Sequence, residues 1–326
     1  MLSKIKYFLT RFFSHQSVML LSILLGLIAF FAIITPNHAF ISSESICLFF
    51  RNVPEIALIT IGMGLLLISG EFDLSVGSIY VFSAVIMAGV YTYWGMSLFV
   101  AIPIGIVSGI IMGTLNGFIV VKTKISSLIV TLGMMWAYRG IMLVLVGGYA
   151  IKMYTSGLES SFADLFTGNI LGFPLQFVWL IIISIFLWLF LERTRFGNWV
   201  YSTGNNPSAA QMMGINTSRV KIICFAIIGF LCAFAGFLQV IRMSHAVPQS
   251  GQMTMLYALA GAVIGGTSLR GGYGNIFSCL FGAFIIQVII LGLIMLGFIE
   301  YYTDIVVAVA LILTAYIHRQ LGVLLR

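Results

Sequence analysis

Long apolar runs separated by short polar breaks dominate this chain. They fall at residues 18–34, 53–69, 76–93, 97–120, 128–146, 170–191, 220–241, 255–269, 276–297 and 303–318. Most approach the roughly 20 residues that a helix needs to cross the hydrocarbon core of a bilayer. Backbone N–H and C=O groups find no water there, so the pattern predicts helices, which satisfy those groups internally. The expected fold is all-α: a polytopic membrane protein of about ten transmembrane helices, with residues 1–326 forming one transmembrane domain. The first run follows Lys4, Lys6 and Arg11, and no small-x-small site follows Thr35-Pro36-Asn37-His38. It is long for a cleaved signal and reads as a retained span.

Composition agrees. The 326 residues are 61% hydrophobic and 8% charged, with a mean hydropathy of +1.13; soluble domains carry roughly a quarter charged residues. The net charge of +7 does not point to nucleic acid, because the basic residues punctuate the apolar runs instead of clustering on a polar face. With the N-terminus in the cytoplasm, Lys4, Lys6, Arg11, Lys122, Lys124, Arg193, Arg195, Arg219, Lys221, Arg270, Arg319 and Arg326 fall inside. Only Arg51, Lys152 and Arg242 fall outside, and Arg139 lies within a span. This asymmetry is a positive-inside signal and places both termini in the cytoplasm. Cys47, Cys224, Cys232 and Cys279 are scattered, with no spacing for a metal or a disulfide framework. No His-Glu-x-x-His or nucleophile–base cluster supports an enzyme, and no cofactor is expected.

Three polar breaks carry the candidate chemistry. The longest, 192–219, contains Asn205-Asn206-Pro207-Ser208-Ala209-Ala210-Gln211-Met212-Met213-Gly214. Asn206 suits a helix cap, Pro207 the first helical position and Gly214 a left-handed stop, so a short helix is expected. It reads either as an interfacial segment on lipid headgroups or as a docking helix. The second break, Gly70-Glu71-Phe72-Asp73-Leu74-Ser75, puts two carboxylates beside apolar spans. It reads as a capped turn, as a polar break beside a translocation path, or as part of a cytoplasmic docking surface. The third, Gly265-Gly266-Thr267-Ser268-Leu269-Arg270-Gly271-Gly272, lacks the Lys of a phosphate-binding loop and reads as a tight turn or broken helix. The stretches 68–79 and 264–276 look alike, which hints at an internal repeat; both face the same side, against a simple inverted one.

Within the spans, Gly105, Gly109, Gly113 and Gly117 recur every four residues, a face that lets helices approach closely. Asn116 beside them can bridge helices or line a path. Arg139 is either a functional intramembrane charge or a group that snorkels or satisfies loop carbonyls. The segment from Gly147 to Asn169 is the longest outside loop and a natural docking surface.

Several of these stretches resemble one family. Ser208-Ala209-Ala210-x-x-x-Gly214 resembles the Glu-Ala-Ala-x-x-x-Gly loop of ABC importer permeases, with Ser in place of Glu. Arg195-Phe196-Gly197, Gly204-Asn205-Asn206-Pro207, Gly214-Ile215 and Arg219-Val220-Lys221 resemble the ribose/xylose/galactoside branch. Residues 70–78 resemble its Gly-Gly-Ile-Asp-Leu-Ser-Val-Gly-Ser signature, with Glu71 and Phe72 replacing Gly and Ile. Residues 265–274 resemble its Gly-Gly-Thr-Ser-Leu-x-Gly-Gly-x-Gly stretch without gaps. The resemblance implies the membrane subunit of an importer for a monosaccharide or sugar-like solute in the bacterial cytoplasmic membrane. It implies a separate ATPase subunit docked on Asn205–Gly214, an extracytoplasmic sugar-binding protein and a second permease subunit. The alternative is a self-sufficient secondary transporter or channel. Such carriers usually place titratable groups mid-span, where this chain has only Arg139.

Overall fold

The computed structural model describes residues 15–155, 157–170 and 172–324. Helix α1 (His15–Ile34) leads through a 3-10 turn (Pro36–Ile41) into α2 (Ser43–Ile68). There follow α3 (Val76–Thr92), α4 (Leu98–Thr123), α5 (Ser127–Val146), β1 (Ile151–Lys152), α6 (Gly157–Thr167), β2 (Asn169–Ile170) and β3 (Phe173–Pro174). Next come α7 (Leu175–Arg193), α8 (Arg195–Asn205), α9 (Pro207–Met212), α10 (Thr217–Met243) and β4 (His245–Ala246). The described chain closes with α11 (Thr254–Ile264), α12 (Ile276–Met295) and α13 (Glu300–Leu324).

Among the described residues, six helices are long and apolar enough to cross a membrane: α2, α4, α5, α7, α10 and α12. Four shorter apolar segments, Val18–Ile34, Val76–Thr92, Thr254–Ile264 and Tyr301–Thr314, fall on the other predicted spans. Helix α2 begins ahead of the predicted 53–69, adding a polar first turn, the apolar stretch 46–50 and Arg51-Asn52. Ser42 caps it by accepting from the Ser45 N–H, with Glu44 in the first turn. The expectation of helix throughout needs a small correction: among the described residues, four two-residue strands pair near the loops. β1 runs antiparallel to β4, with Ile151 opposite Ala246, and β2 runs antiparallel to β3, with Asn169 opposite Pro174.

Helix α10 lies among α2, α3 and α4 and buries Cys224, Phe225, Ile228, Leu231 and Phe237. Its closest neighbour is the glycine face of α4. A Cβ on Gly109 would sit 2.6 Å from the Gly229 carbonyl oxygen, and one on Gly113 would lie 3.0 Å from the Gly229 Cα. Backbones this near gain dispersion contacts that hold helices together in lipid, where there is no hydrophobic drive between them. A second cluster joins α1, α11, α12 and α13 through Leu20, Phe31, Ile264, Ile286 and Val307.

Candidate functional site

The three polar breaks meet at one end of the molecule. Helix α2 stops at Ser69, and Gly70 turns the chain with φ 85°. Gly271 and Gly272, from the third break, adopt φ 85° and 73°. The Gly272 N–H donates to the Ile68 carbonyl at 2.9 Å. The last turn of α8 is wedged against this pair: a Cβ on Gly204 would run into the Ile68 carbonyl oxygen and lie 2.7 Å from the Gly272 nitrogen. Only glycine permits such an approach.

Helix α9 follows one residue beyond α8. Asn206 Oδ1 accepts from the Ala209 N–H at 3.0 Å, and Pro207 occupies the first turn. Gly214 has φ 82°; its N–H donates to the Gln211 carbonyl at 2.9 Å, and the Ile215 N–H to the Ala210 carbonyl at 3.0 Å. The start and stop signals thus fold as their chemistry dictates. Ala210 is buried and Ala209 half-buried, whereas Asn205, Asn206, Pro207, Ser208 and Gly214 are exposed. Met212 and Met213 are each 82% exposed. Helix α8 is an addition: the sequence pattern predicts one helix within 192–219, and the structure has two. Thr194 starts α8 by accepting from the Gly197 N–H at 3.2 Å. A cleft of about 510 Å³ lies beside α9, lined by Glu71, Lys124, Ser127, Gln211 and Lys221 among others.

The second break is polar inside as well as out. Glu71 pairs with Lys221 at the start of α10. Asp73 is fully buried. Its Oδ1 accepts from the Ser75 N–H at 2.7 Å and the Ser75 hydroxyl at 2.6 Å. Its Oδ2 accepts from Asn116 Nδ2 at 3.1 Å. Burial pushes the Asp73 carboxyl up to about 6, while the hydrogen bonds from Ser75 and Asn116 pull it down. Ser75 stands at the N-cap of α3 without a side-chain capping bond, because its hydroxyl is turned to Asp73. Tyr138 of α5 donates to Asn116 Oδ1 at 2.9 Å, so Asn116 bridges helices.

In the third break, Gly266 has φ 79°, and Thr267 is buried with its hydroxyl 3.0 Å from Cys279 Sγ. Ser268 Oγ accepts from the Arg270 N–H at 3.1 Å. Arg139 stands apart from this assembly. Its guanidinium lies 5.8 Å from the Trp136 ring centroid, and both terminal nitrogens donate at 2.6 Å to the Gln252 amide oxygen when that amide is turned toward it. A loop group satisfies it, through a side chain and not the backbone.

One cluster escaped the sequence reading. Toward the β1–β4 end, Arg242 donates to Glu55 Oε1 from Nε at 3.0 Å and from Nη2 at 2.6 Å, and Tyr80 donates to Glu55 Oε2 at 3.1 Å. The available signal was two opposite charges at apolar span ends on the same predicted side. Among the described residues no group of three or more His, Cys, Asp or Glu could hold a metal.

Comparison with known proteins places this architecture. Residues 45–315 match the family described as branched-chain amino acid transport system / permease component. The ribose import permease protein RbsC of Haemophilus influenzae is 34% identical over 300 residues, 92% of each chain. The fructose import permease protein FrcC of Rhizobium meliloti is 31% identical over 324 residues, 98% of this chain and 89% of the relative. The xylose/arabinose import permease protein XylH of Sulfolobus acidocaldarius is 31% identical over 320 residues, 95% of this chain and 86% of the relative. The chain, with its apolar helices and its capped α9 at one end, belongs to this family of transport-system permease components.

Proposed function

We propose that this chain is the translocation subunit of an ATP-driven importer of a monosaccharide or sugar-like solute, embedded in the bacterial cytoplasmic membrane. The observation that carries the reading is α9. It is short, capped at both ends, follows directly on the glycine junction at Gly204 and presents Met212 and Met213 outward. Methionine is flexible and polarizable, which suits a surface that meets another protein. A separate ATPase subunit receives α9 and carries the ATP chemistry, so the chain is not itself an enzyme and holds no cofactor. The names of the relatives, which cite ribose, fructose and xylose/arabinose import, support the solute class.

In this reading the six long and four shorter apolar helices make ten spans. The α9 end is cytoplasmic, together with both termini, in keeping with Lys122, Lys124, Arg193, Arg195, Arg219, Lys221 and Arg270. An extracytoplasmic sugar-binding protein docks on the opposite end, where α6 and the β1–β4 pair cover the surface. A second permease subunit completes a central path that opens alternately to each side. Residues Asn205–Gly214 form the docking element, Glu71, Asp73 and Ser75 shape the loop behind it, and Gly266, Thr267 and Ser268 shape the third break. The test is Gly214→Arg. The substitution strains the φ 82° stop of α9 and projects a cation into the docking surface. Uptake is expected to disappear while membrane insertion and dimerisation persist; normal uptake counts against the docking role.

A further inference from the structure

Helix α5 is fastened to the body of the protein in an unusual way. Only 22% of its most apolar 18-residue window is buried, against 67% for α10. A polar seam joins it to the second break and to α3 and α4. The Phe72 N–H donates to Ser127 Oγ at 3.0 Å, and the Leu74 N–H donates to Thr131 Oγ1 at 3.0 Å. The Ser78 hydroxyl donates to the Met135 carbonyl at 3.0 Å, and Tyr138 donates to Asn116, which in turn donates to Asp73. Positions 127, 131, 135 and 138 advance by four, four and three residues, so they form one stripe of the helix.

The other end of the same loop touches the α9 assembly. The Cβ position of Gly70 lies 3.4 Å from the Gly204 Cα, and α9 begins at Pro207. Close-packed backbone at Gly70, Gly204 and Gly271 cannot deform continuously, so displacement of α9 passes into the loop. Hydrogen bonds of fixed geometry then pass it to α5, which is held to the rest of this chain by few apolar contacts.

We propose that the seam Phe72/Ser127, Leu74/Thr131, Asp73/Asn116/Tyr138 transmits movement of α9 to α5, making Asn116, Thr131 and Tyr138 positioning residues for transport. The inference rests on the reading of α9 as the element moved by an ATPase subunit. A chain of contacts alone does not establish coupling, so the test measures α5 itself. The intact importer is purified with a reporter cysteine at Val144 of α5, which is 84% exposed. Cys47→Ser removes the half-buried thiol, since Cys224, Cys232 and Cys279 are buried. The maleimide labelling rate is compared between nucleotide-free and ATP–vanadate-trapped complexes.

The parent is expected to change its rate at least threefold between the two states. Asn116→Leu, Thr131→Val and Tyr138→Phe reduce that ratio to near one while the ATPase still co-purifies and hydrolyses ATP. Asn116→Asp sets two carboxylates side by side and also abolishes the response. The exchange Asp73→Asn with Asn116→Asp restores an amide–carboxylate pair and with it the response. An undiminished ratio in the seam variants, or a parent whose α5 does not respond, overturns the seam and leaves the docking of α9 standing. Absence of any ATPase from the parent complex overturns the α9 reading, and the seam with it.

Discussion

The glycine junction gives the sharpest prediction. At Gly204 a new methyl would overlap the Ile68 carbonyl oxygen and lie 2.7 Å from the Gly272 nitrogen and 2.9 Å from the Ile68 carbonyl carbon. All of these are backbone atoms, so no side chain can swing aside. Overpacking of this kind costs about 1–3 kcal/mol. The methyl also invades the Gly272 N–H···O=C Ile68 hydrogen bond, whose loss adds about 1 kcal/mol. Gly204→Ala is therefore expected to destabilise by roughly 2–4 kcal/mol. Gly133 on α5 is the control, because nothing lies within 4 Å of its Cβ position. There the intrinsic preference of helices for alanine over glycine makes Gly133→Ala neutral or stabilising by up to about 1 kcal/mol. Apparent unfolding temperatures of the purified full chain in detergent, at one fixed heating rate, compare the two. A Gly204→Ala protein that melts with the parent would refute the account of why three breaks converge on glycine.

Three further outcomes are expected. Glu55→Leu strands the Arg242 guanidinium, and breaking a buried pair costs about 3–5 kcal/mol. Because the Arg242 side chain is 22% exposed, the expected loss is at the low end, and a double-mutant cycle with Arg242→Leu should recover much of it. Asp73 supplies a pH dependence: its folded value, about 6, lies above its ordinary value of 3.8, so folding favours the protonated acid. Its stabilising contribution is present below the ordinary value and is lost as pH rises through about 6; the unfolding temperature should fall between roughly pH 4 and 6.5 and level off above, and Asp73→Asn should flatten that slope. Asn206→Ala removes the cap of α9 at a cost of about 1 kcal/mol, and should weaken capture of an ATPase subunit without lowering the amount of inserted chain.

The features legible in the sequence were those with local causes. Asn206, Pro207 and Gly214 act within a few residues of themselves, so α9 could be read from its signals. The long apolar helices were legible because lipid demands an uninterrupted apolar run. The start of α2 was not, because Arg51 and Asn52 interrupt the apolar run while the Ser42 cap and Glu44 start the helix upstream of them. Helix α8 was missed for the same reason: Arg195, Asn198, Ser202 and Asn205 hide a helix in a polar loop. Pairings between distant residues left no local trace. Glu55 meets Arg242, Glu71 meets Lys221 and Asp73 meets Tyr138 through Asn116 only because α10, α4 and α5 pack as they do. The sequence marked Asp73 and Asn116 separately as polar groups near apolar spans, yet nothing in either stretch says that Asn116 donates to Asp73.

The central claim is that α9 docks a separate ATPase subunit, and purification from native membranes tests it most directly. The intact chain is isolated in mild detergent beside its Gly214→Arg variant, and ATP hydrolysis is measured in both preparations. The account predicts an ATPase subunit that co-elutes with the parent and is lost or sharply reduced with the variant. A chain that purifies without any ATPase and still moves solute with an ion gradient contradicts it.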